Sequence, residues 1–75
     1  MNKTIINKIE ASIARFSELN PDLTPTVVLL DDESYFELKL SELGSFDAAI
    51  SFELETVLGL RVFYNRLGYT YIDVV

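Results

Sequence analysis

The strongest constraint on this chain is the combination of an acidic middle with a high hydrophobic content. Ten carboxylates but a single basic residue, Lys39, lie between Phe16 and Leu60. The full sequence of 75 residues is nevertheless 49% hydrophobic and 24% charged. Disordered acidic segments combine high charge with low hydrophobicity, so this composition predicts a folded protein. At this length we expect one acidic α+β domain, residues 1–75, with a small core.

Residue types that the chain lacks restrict its chemistry. There is no cysteine and no histidine, so thiolate and imidazole metal ligands are missing, as are the usual partners of a catalytic serine. The glycines at positions 44, 59 and 68 are scattered and form no phosphate-binding loop. We therefore predict a protein that is not an enzyme and that uses no metal or other cofactor.

The formal net charge of −6 favours one kind of partner. A negative surface repels the phosphate backbone of nucleic acids and anionic lipid headgroups, and it attracts basic protein surfaces. No apolar run approaches the roughly 18 residues of a membrane span, and residues 1–10 lack the features of a signal peptide. We expect a cytoplasmic protein whose partner is a protein with a basic surface, without direct contact to nucleic acid or membrane.

Two segments have the 3.6-residue hydrophobic period of a helix. Residues 3–19 form the first, which ends at Asn20-Pro21 because a residue before proline disfavours helical angles. Residues 45–58 form the second, with Ser45 as its N-cap and Gly59 after its end. Its expected buried stripe consists of Phe46, Ile50, Leu54, Val57 and Leu58.

Four further segments favour strands: residues 26–30, 35–40, 60–64 and 69–75. Strict alternation in residues 35–40 places Phe36, Leu38 and Leu40 on one face of a strand. The polar residues 31–34 would form one hairpin turn, and residues 65–68, which end in Gly68, would form the other. The resulting order αββαββ predicts an α+β fold with two helices packed on one face of a mostly antiparallel four-stranded sheet.

The outer face of this predicted sheet is the first candidate site. The alternation of the strands would place four aromatic side chains there: Tyr35, Phe63, Tyr69 and Tyr71. Aromatic residues are enriched where proteins bind one another, which makes this a candidate surface for a partner or for self-association. Tyrosines are also common on exposed strands without any binding role, and a register slip of one residue would exchange the two faces.

Acidic residues form the second candidate site. Asp31, Asp32, Glu33 and Glu37 would provide negative charge for docking on a basic partner. Carboxylates in such a turn also suit a divalent cation, but the spacing of a calcium-binding loop is missing, so a solvated turn is favoured.

An exposed aromatic residue is the third candidate. Phe52 lies opposite the apolar stripe of its predicted helix and beside Glu55, which predicts an aromatic anchor with an acidic rim. Single exposed apolar residues are common, however, and need no functional explanation.

One segment resembles the acyl carrier proteins. Residues 43–47 are Leu-Gly-Ser-Phe-Asp, and residues 54–59 are Leu-Glu-Thr-Val-Leu-Gly. In that family the attachment serine opens a helix after Leu-Gly, so the resemblance implies an all-helical carrier with phosphopantetheine on Ser45. This chain has Gly-Ser-Phe where the family has Asp-Ser-Leu, and predicted strands flank its helix.

These observations lead to one main hypothesis and two alternatives. The main hypothesis is a small non-enzymatic protein-binding module that acts as a stoichiometric inhibitor or neutraliser of a partner with a basic surface. Phage anti-defence proteins, immunity proteins and DNA mimics share this character, which is an analogy of class. The alternatives are a homo-oligomeric structural or assembly protein that uses the aromatic sheet face, and an acyl-carrier-like protein.

Overall fold

Helices and strands are mixed along residues 4–75, the part of the chain that the structure, a computed structural model, describes. The elements are α1 Thr4–Leu19, β1 Val27–Asp31, α2 Asp32–Leu43, α3 Phe46–Ser51, β2 Thr56–Val57, β3 Leu60–Asn65 and β4 Ile72–Val74. Helices accompany a four-stranded sheet with both parallel and antiparallel pairs. The predicted α+β class is confirmed, whereas the order of elements and the mixed sheet differ from the prediction.

The first helix forms where its hydrophobic period predicted it. Ile5 and Ile9 are buried, and Ile13 and Phe16 pack against the core on the same side of α1. The helix ends at Leu19, after which the backbone N–H and side-chain amide of Asn20 both donate to the Phe16 carbonyl. Residue 3, the predicted start of this helix, lies outside the described residues.

β1 is a central strand of the sheet, whose order is β2-β3-β1-β4. β3 lies parallel to β1 on one side, and β4 lies antiparallel to β1 on the other. The predicted hairpin between the last two strands is therefore wrong, because β3 and β4 are separated by β1. A parallel neighbour requires a long crossover connection, and α2 and α3 lie within the connection from β1 to β3.

One face of the sheet carries the core. Strand residues of this face are buried: Val28, Leu30, Val57, Leu60 and Val74. They pack with Ile5 and Ile9 of α1 and with Tyr35 and Leu38 of α2. Two helices therefore cover one face, as predicted, but the second of them is α2, which the sequence analysis assigned to a strand.

Residues 35–40 form a helix because strong end signals surround them. Asp31 has extended backbone angles and caps the first turn of α2, and Gly44 closes the helix with φ 82° and an N–H bonded to the Leu40 carbonyl. Tyr35 and Leu38, three residues apart, face the core. The alternation of Phe36, Leu38 and Leu40 was misleading because apolar residues lie on several sides of this helix.

The predicted second helix is much shorter than expected. Ser45 is its N-cap, as predicted, and its hydroxyl oxygen accepts the Ala48 N–H at 3.1 Å. The helix ends at Ser51, and Phe52 is already extended with φ −121° and ψ 149°. Phe46 and Ile50, which were expected in the core, are 60% and 61% exposed. Val57 does enter the core, but it does so from β2.

A tight turn at Leu58-Gly59 joins β2 to β3. Both residues have positive φ, 51° for Leu58 and 79° for Gly59, as in the hairpin turns that match strand twist. Gly59 adopts this conformation readily, but a leucine in it is strained by contact of its Cβ with the backbone. Leu58 is 49% exposed, so its side chain gains little from packing in return.

Replacing Leu58 with asparagine is therefore expected to stabilise the protein. Asn-Gly is the preferred sequence for such a turn, and Leu58→Asn should raise the free energy of unfolding by about 0.5–1 kcal/mol. Urea denaturation followed by circular dichroism measures this change. Leu58→Ala is the control, since alanine removes the same apolar side chain but keeps the strain. Equal stability of the two variants would contradict the explanation.

Candidate protein-binding surface

Asp31 lies where β1 passes into α2, and both of its carboxylate oxygens are occupied. Its Oδ2 accepts the Ser34 N–H at 3.3 Å, which caps α2, and its Oδ1 accepts the Tyr71 N–H at 3.0 Å. The side chain is 3% exposed. Burial alone would raise the pKa of Asp31, but the hydrogen bonds from Ser34 and Tyr71 outweigh it and hold the pKa below its ordinary value of 3.8.

Asp31 consequently does not belong to a binding surface. Its prediction as a partner-binding carboxylate is wrong in placement, because the group is buried and bonded within the protein. The same bonds leave it poorly placed as a metal ligand. Among residues 4–75 no group of three or more carboxylates is arranged to hold a metal ion.

The remaining predicted carboxylates of this region lie together on α2. Glu33 and Glu37 are exposed and Asp32 is partly exposed, and with Phe36 they line an open depression on the helix. Glu33 and Glu37 are one helical turn apart, which places them on neighbouring positions of the helix surface. The sequence thus predicted these charges correctly as accessible, although it placed them on a turn and a strand.

A pair of aromatic side chains, half-buried Phe36 and exposed Phe46, lies beside these carboxylates. The ring of Phe36 on α2 meets that of Phe46 on α3 edge to face, with centroids 5.6 Å apart and planes at 77°. Ile50 follows Phe46 by one turn and is also exposed. We call this region the α2–α3 surface and define it by these residues: Asp32, Glu33, Phe36, Glu37, Phe46, Asp47 and Ile50.

Basic groups offset only part of the charge on the α2–α3 surface. The Arg66 side chain approaches Asp32 with a nitrogen–oxygen distance of 3.9 Å, but it is 90% exposed. Such an ion pair contributes little because water screens it. Lys39 turns toward an aromatic ring, with Nζ 4.8 Å from the centroid of Tyr35. The carboxylates of Glu33 and Glu37 make no ion pair in the part of the chain that the structure describes.

Sequence reasoning missed Phe46 and Ile50 as surface residues. Their spacing matches that of a buried helical stripe, and the continuation of the apolar pattern to Leu54 suggested a long amphipathic helix. In the structure α3 packs against α2, Ala49 is the buried residue of α3, and Phe46 and Ile50 are left exposed. The small size of Ala49 was the available signal for a close helix contact.

Tyr35 is a structural residue and not a surface anchor. It is 4% exposed, and its ring stacks on Tyr64 with centroids 3.9 Å apart and planes at 6°. Its hydroxyl oxygen accepts the Leu54 N–H at 2.9 Å and donates to the Leu54 carbonyl at 3.3 Å. The prediction that Tyr35 points outward from a strand is wrong, because helix α2 turns it toward the core.

Phe52 and Glu55 are exposed on the segment between α3 and β2. The side chain of Phe52 is 63% exposed, as predicted, although the residue follows α3 instead of lying within a long helix. Their participation in partner binding stays a prediction.

Of the remaining predicted aromatic residues, Phe63 lies on the face of the sheet without helices, whereas Tyr69 lines a depression with Asp32 and Glu33 at the start of α2. Phe63 projects from β3 with the Arg61 guanidinium carbon 5.3 Å from its ring centroid. Tyr69 and Tyr71 pack edge to face just before β4, with centroids 6.5 Å apart. The Tyr71 hydroxyl donates to Asp73 at 3.2 Å, and the charge of Asp73 raises the pKa of Tyr71.

Ser45 has a structural role that the acyl carrier resemblance did not require. Its hydroxyl caps α3, and the protein contains a four-stranded sheet where that resemblance implies an all-helical fold. Comparison of the chain with protein-family models, with curated proteins and with solved structures finds no match. Among residues 4–75, no helix combines the length and apolar character needed to cross a membrane.

Asp31→Asn tests the double role of this carboxylate. Asparagine has one acceptor oxygen, so one of the two bonded N–H groups loses its acceptor, and we expect a loss of about 1–3 kcal/mol at pH 7. The lowered pKa makes the contribution of the ionised carboxylate present above about pH 4 and progressively lost as the pH falls through the folded-state pKa. Urea denaturation should therefore show a smaller difference in the free energy of unfolding between wild type and Asp31→Asn at pH 3 than at pH 7.

Glu37→Gln is the control for Asp31→Asn, because it makes the same chemical change at an exposed position of α2. It should alter stability by no more than about 0.5 kcal/mol at either pH. A difference between wild type and Asp31→Asn that stayed constant with pH would contradict the role of the ionised carboxylate.

Tyr35→Phe is expected to lower the free energy of unfolding by about 1–2 kcal/mol, because both backbone groups of Leu54 lose their partner. Burial raises the pKa of Tyr35 above its ordinary value of 10.0. Stability conferred by the neutral hydroxyl is thus complete below pH 10 and is lost as the pH rises through the folded-state pKa. Urea denaturation between pH 8 and 11 should show that the free energy of unfolding falls less with rising pH in Tyr35→Phe than in wild type. Tyr69→Phe, at a 63% exposed site, should match wild type.

Proposed function

We propose that this protein is a non-enzymatic binding module whose α2–α3 surface docks on a basic surface of another protein and blocks it stoichiometrically. The observation that carries the proposal is the Phe36–Phe46 pair, in which Phe36 is half-buried and Phe46 is exposed, with carboxylates around it. Exposed aromatic groups supply binding energy when a partner covers them, and surrounding charges select the sign of that partner. The cytoplasm is the compartment that we propose.

Charge is the first part of the support. Asp32, Glu33 and Glu37 face solvent within two turns of α2, and the whole chain carries a net charge of −6. Complementary charge accelerates association of proteins, and this acceleration falls as salt is added. A partner with a basic patch would therefore be captured rapidly at low ionic strength.

Apolar contact area is the second part of the support. Phe46 and Ile50 lie one turn apart on α3 and are 60% and 61% exposed, so their side chains extend the aromatic pair into a longer ridge. Apolar side chains exposed together on this scale mark sites of protein contact more often than isolated ones do. An acidic inhibitor benefits from such an apolar centre, since complementary charge gives fast association and specificity more than affinity.

Affinity capture from an extract of the producing cells, with the protein immobilised at low salt and eluted by a salt gradient, tests the proposal. The informative result is the pattern across variants. Phe46→Ala should reduce retention of the partner at least tenfold, whereas Phe63→Ala, on the opposite side of the sheet, should retain it fully. Loss of the partner with both variants or with neither would overturn the assignment of the α2–α3 surface.

Charge reversal separates a local effect from the effect of net charge. The variant with lysine at positions 32, 33 and 37 should slow association about tenfold or more at low salt. The matched control carries lysine at three exposed positions outside the surface: Glu10, Glu18 and Asp22. Both triple variants have the same net charge, so equal association rates would show that no particular acidic surface docks.

Competition with duplex DNA distinguishes the class of inhibitor. If the captured partner is a nucleic-acid-binding protein, duplex DNA should displace it from the immobilised chain, since both would occupy one basic surface. Displacement identifies a DNA mimic. Retention in excess DNA, with loss on Phe46→Ala, identifies an inhibitor that acts at another basic site of the partner.

A further inference from the structure

A second surface of the molecule has a different character from the α2–α3 surface. It is the face of the sheet that α1 and α2 do not cover, and we call it the uncovered sheet face. Its strand residues are Val27, Leu29, Arg61, Phe63 and Asp73, joined at its edge by Val75. Phe63 and Val75 are 47% and 51% exposed.

The register of the strands brings these side chains together. Val27 lies opposite Arg61, and Leu29 lies between Phe63 on β3 and Asp73 on β4. Val75 and Val27 exchange both backbone hydrogen bonds, at 3.0 and 3.1 Å, so they are also direct neighbours. Paired residues of adjacent strands point to the same side of a sheet. The centre of the uncovered sheet face is therefore apolar.

The exposed charges on the strands of this face are one cation, Arg61 on β3, and one anion, Asp73 on β4, with β1 between them. Asp31, at the end of β1, is buried, and Glu53 and Glu55 line a depression with Arg61 and Phe63 beyond the strands of this face. Two strand spacings separate β3 from β4, which is roughly 10 Å. A face with one charge of each sign across an apolar centre is complementary to a second copy of itself, as a two-fold symmetric dimer requires.

Contact through this face keeps the α2 carboxylates of two acidic copies apart. Asp32, Glu33 and Glu37 belong to α2, which packs on the opposite face of the sheet. The sheets of both copies would then lie between the two sets of α2 carboxylates. Charges separated by more than about 10 Å interact weakly at 0.1 M salt, so the α2 carboxylates oppose this arrangement little.

The open edge of the sheet at β4 is poorly suited to association of two copies. Because Val75 bonds to β1 through both backbone groups, the N–H of the preceding Val74 points away from β1 toward the open edge of β4. The Asp73 Oδ1 accepts this N–H at 2.9 Å. A carboxylate at this position disfavours the addition of another strand. Copies of the chain are thus directed to the face and not to the edge.

We infer that two copies of this chain associate through the uncovered sheet face, with Phe63 at the centre of the contact and Arg61 of each copy near Asp73 of the other. The face measures roughly 20 Å across four strands and 10–20 Å along them. It is smaller than the roughly 800 Å² per partner of a standard interface, so the dimer is a weak one. The inference does not depend on the proposed function.

Sedimentation equilibrium from about 10 µM to 1 mM tests the inference. The mass should rise from that of the 8.5 kDa monomer toward twice that value over this range. Phe63→Asp should raise the dissociation constant at least tenfold, because association would bury a carboxylate without a partner. Phe46→Asp makes the same change at an exposed phenylalanine of α3 and should leave the dissociation constant unchanged. Urea denaturation should show that both variants are folded.

A charge variant of Arg61 provides a second test, which measures how the dissociation constant of the dimer depends on salt. A residue that only supported the fold would not change this salt dependence. Arg61→Glu makes the uncovered sheet face doubly negative, and it should weaken the dimer several-fold relative to Arg66→Glu, which has the same net charge. The difference between the dissociation constants of these two variants should disappear as salt rises from 0.05 to 1 M, because the screening length falls to about 3 Å.

Three results would overturn the inference. They are a monomer at every concentration, equal dimerisation of wild type and Phe63→Asp, and dissociation of the dimer by Phe46→Asp. The last result would move self-association to the α2–α3 surface and would also count against the proposed docking of a basic partner there. A monomer that still binds a basic partner through Phe46 would refute the dimer alone.

Discussion

The two hydrogen bonds of the Asp31 carboxylate hold three parts of the fold in register. One bond starts α2, and the other joins the end of β1 to Tyr71, 40 residues further along the chain. The helix start, the central strand and the last strand thus meet at one buried carboxylate. Since the position of α2 depends on where it starts, the core contacts of Tyr35 and the placement of the acidic surface on α2 depend on this residue as well.

Local patterns in the sequence correctly predicted those helices and strands whose apolar residues follow one clear pattern. The helix at Thr4–Leu19 has one apolar stripe, and the strands at Val27–Asp31 and Leu60–Asn65 are rich in branched and aromatic residues. The segment that became α2 has apolar residues on several sides, and six of its residues also alternate as in a strand. Its cap, Asp31, and its terminating glycine, Gly44, were better evidence than its periodicity, because they satisfy the backbone groups that a helix leaves unpaired.

The pairing of the strands could not be predicted in the same way. Neighbouring segments were expected to form hairpins, whereas β1 takes partners that lie far from it in the chain. Because of this error the aromatic residues that were predicted to share one face do not do so. Tyr35 is in the core, and Phe63 lies on a sheet face whose other residues were not predicted. The exposed carboxylates of α2 were predicted because charge favours solvent in any secondary structure. Phe46 was not, because exposure of an apolar residue depends on where its helix ends.

The strand order also has a consequence for how the chain folds. Within residues 4–37, the described part of the first half of the sequence, the single strand is β1, and both of its neighbours, β3 and β4, come from the last sixteen residues, 60–75. Helices form within about a microsecond because their contacts are local, and the β2–β3 hairpin is local as well, but no strand pairs with β1 until a loop spanning α2 and α3 has closed. Folding is therefore governed by distant contacts, which are slow to form. The first half can become helical early, and the sheet is assembled around β1 only when the carboxyl-terminal segment arrives.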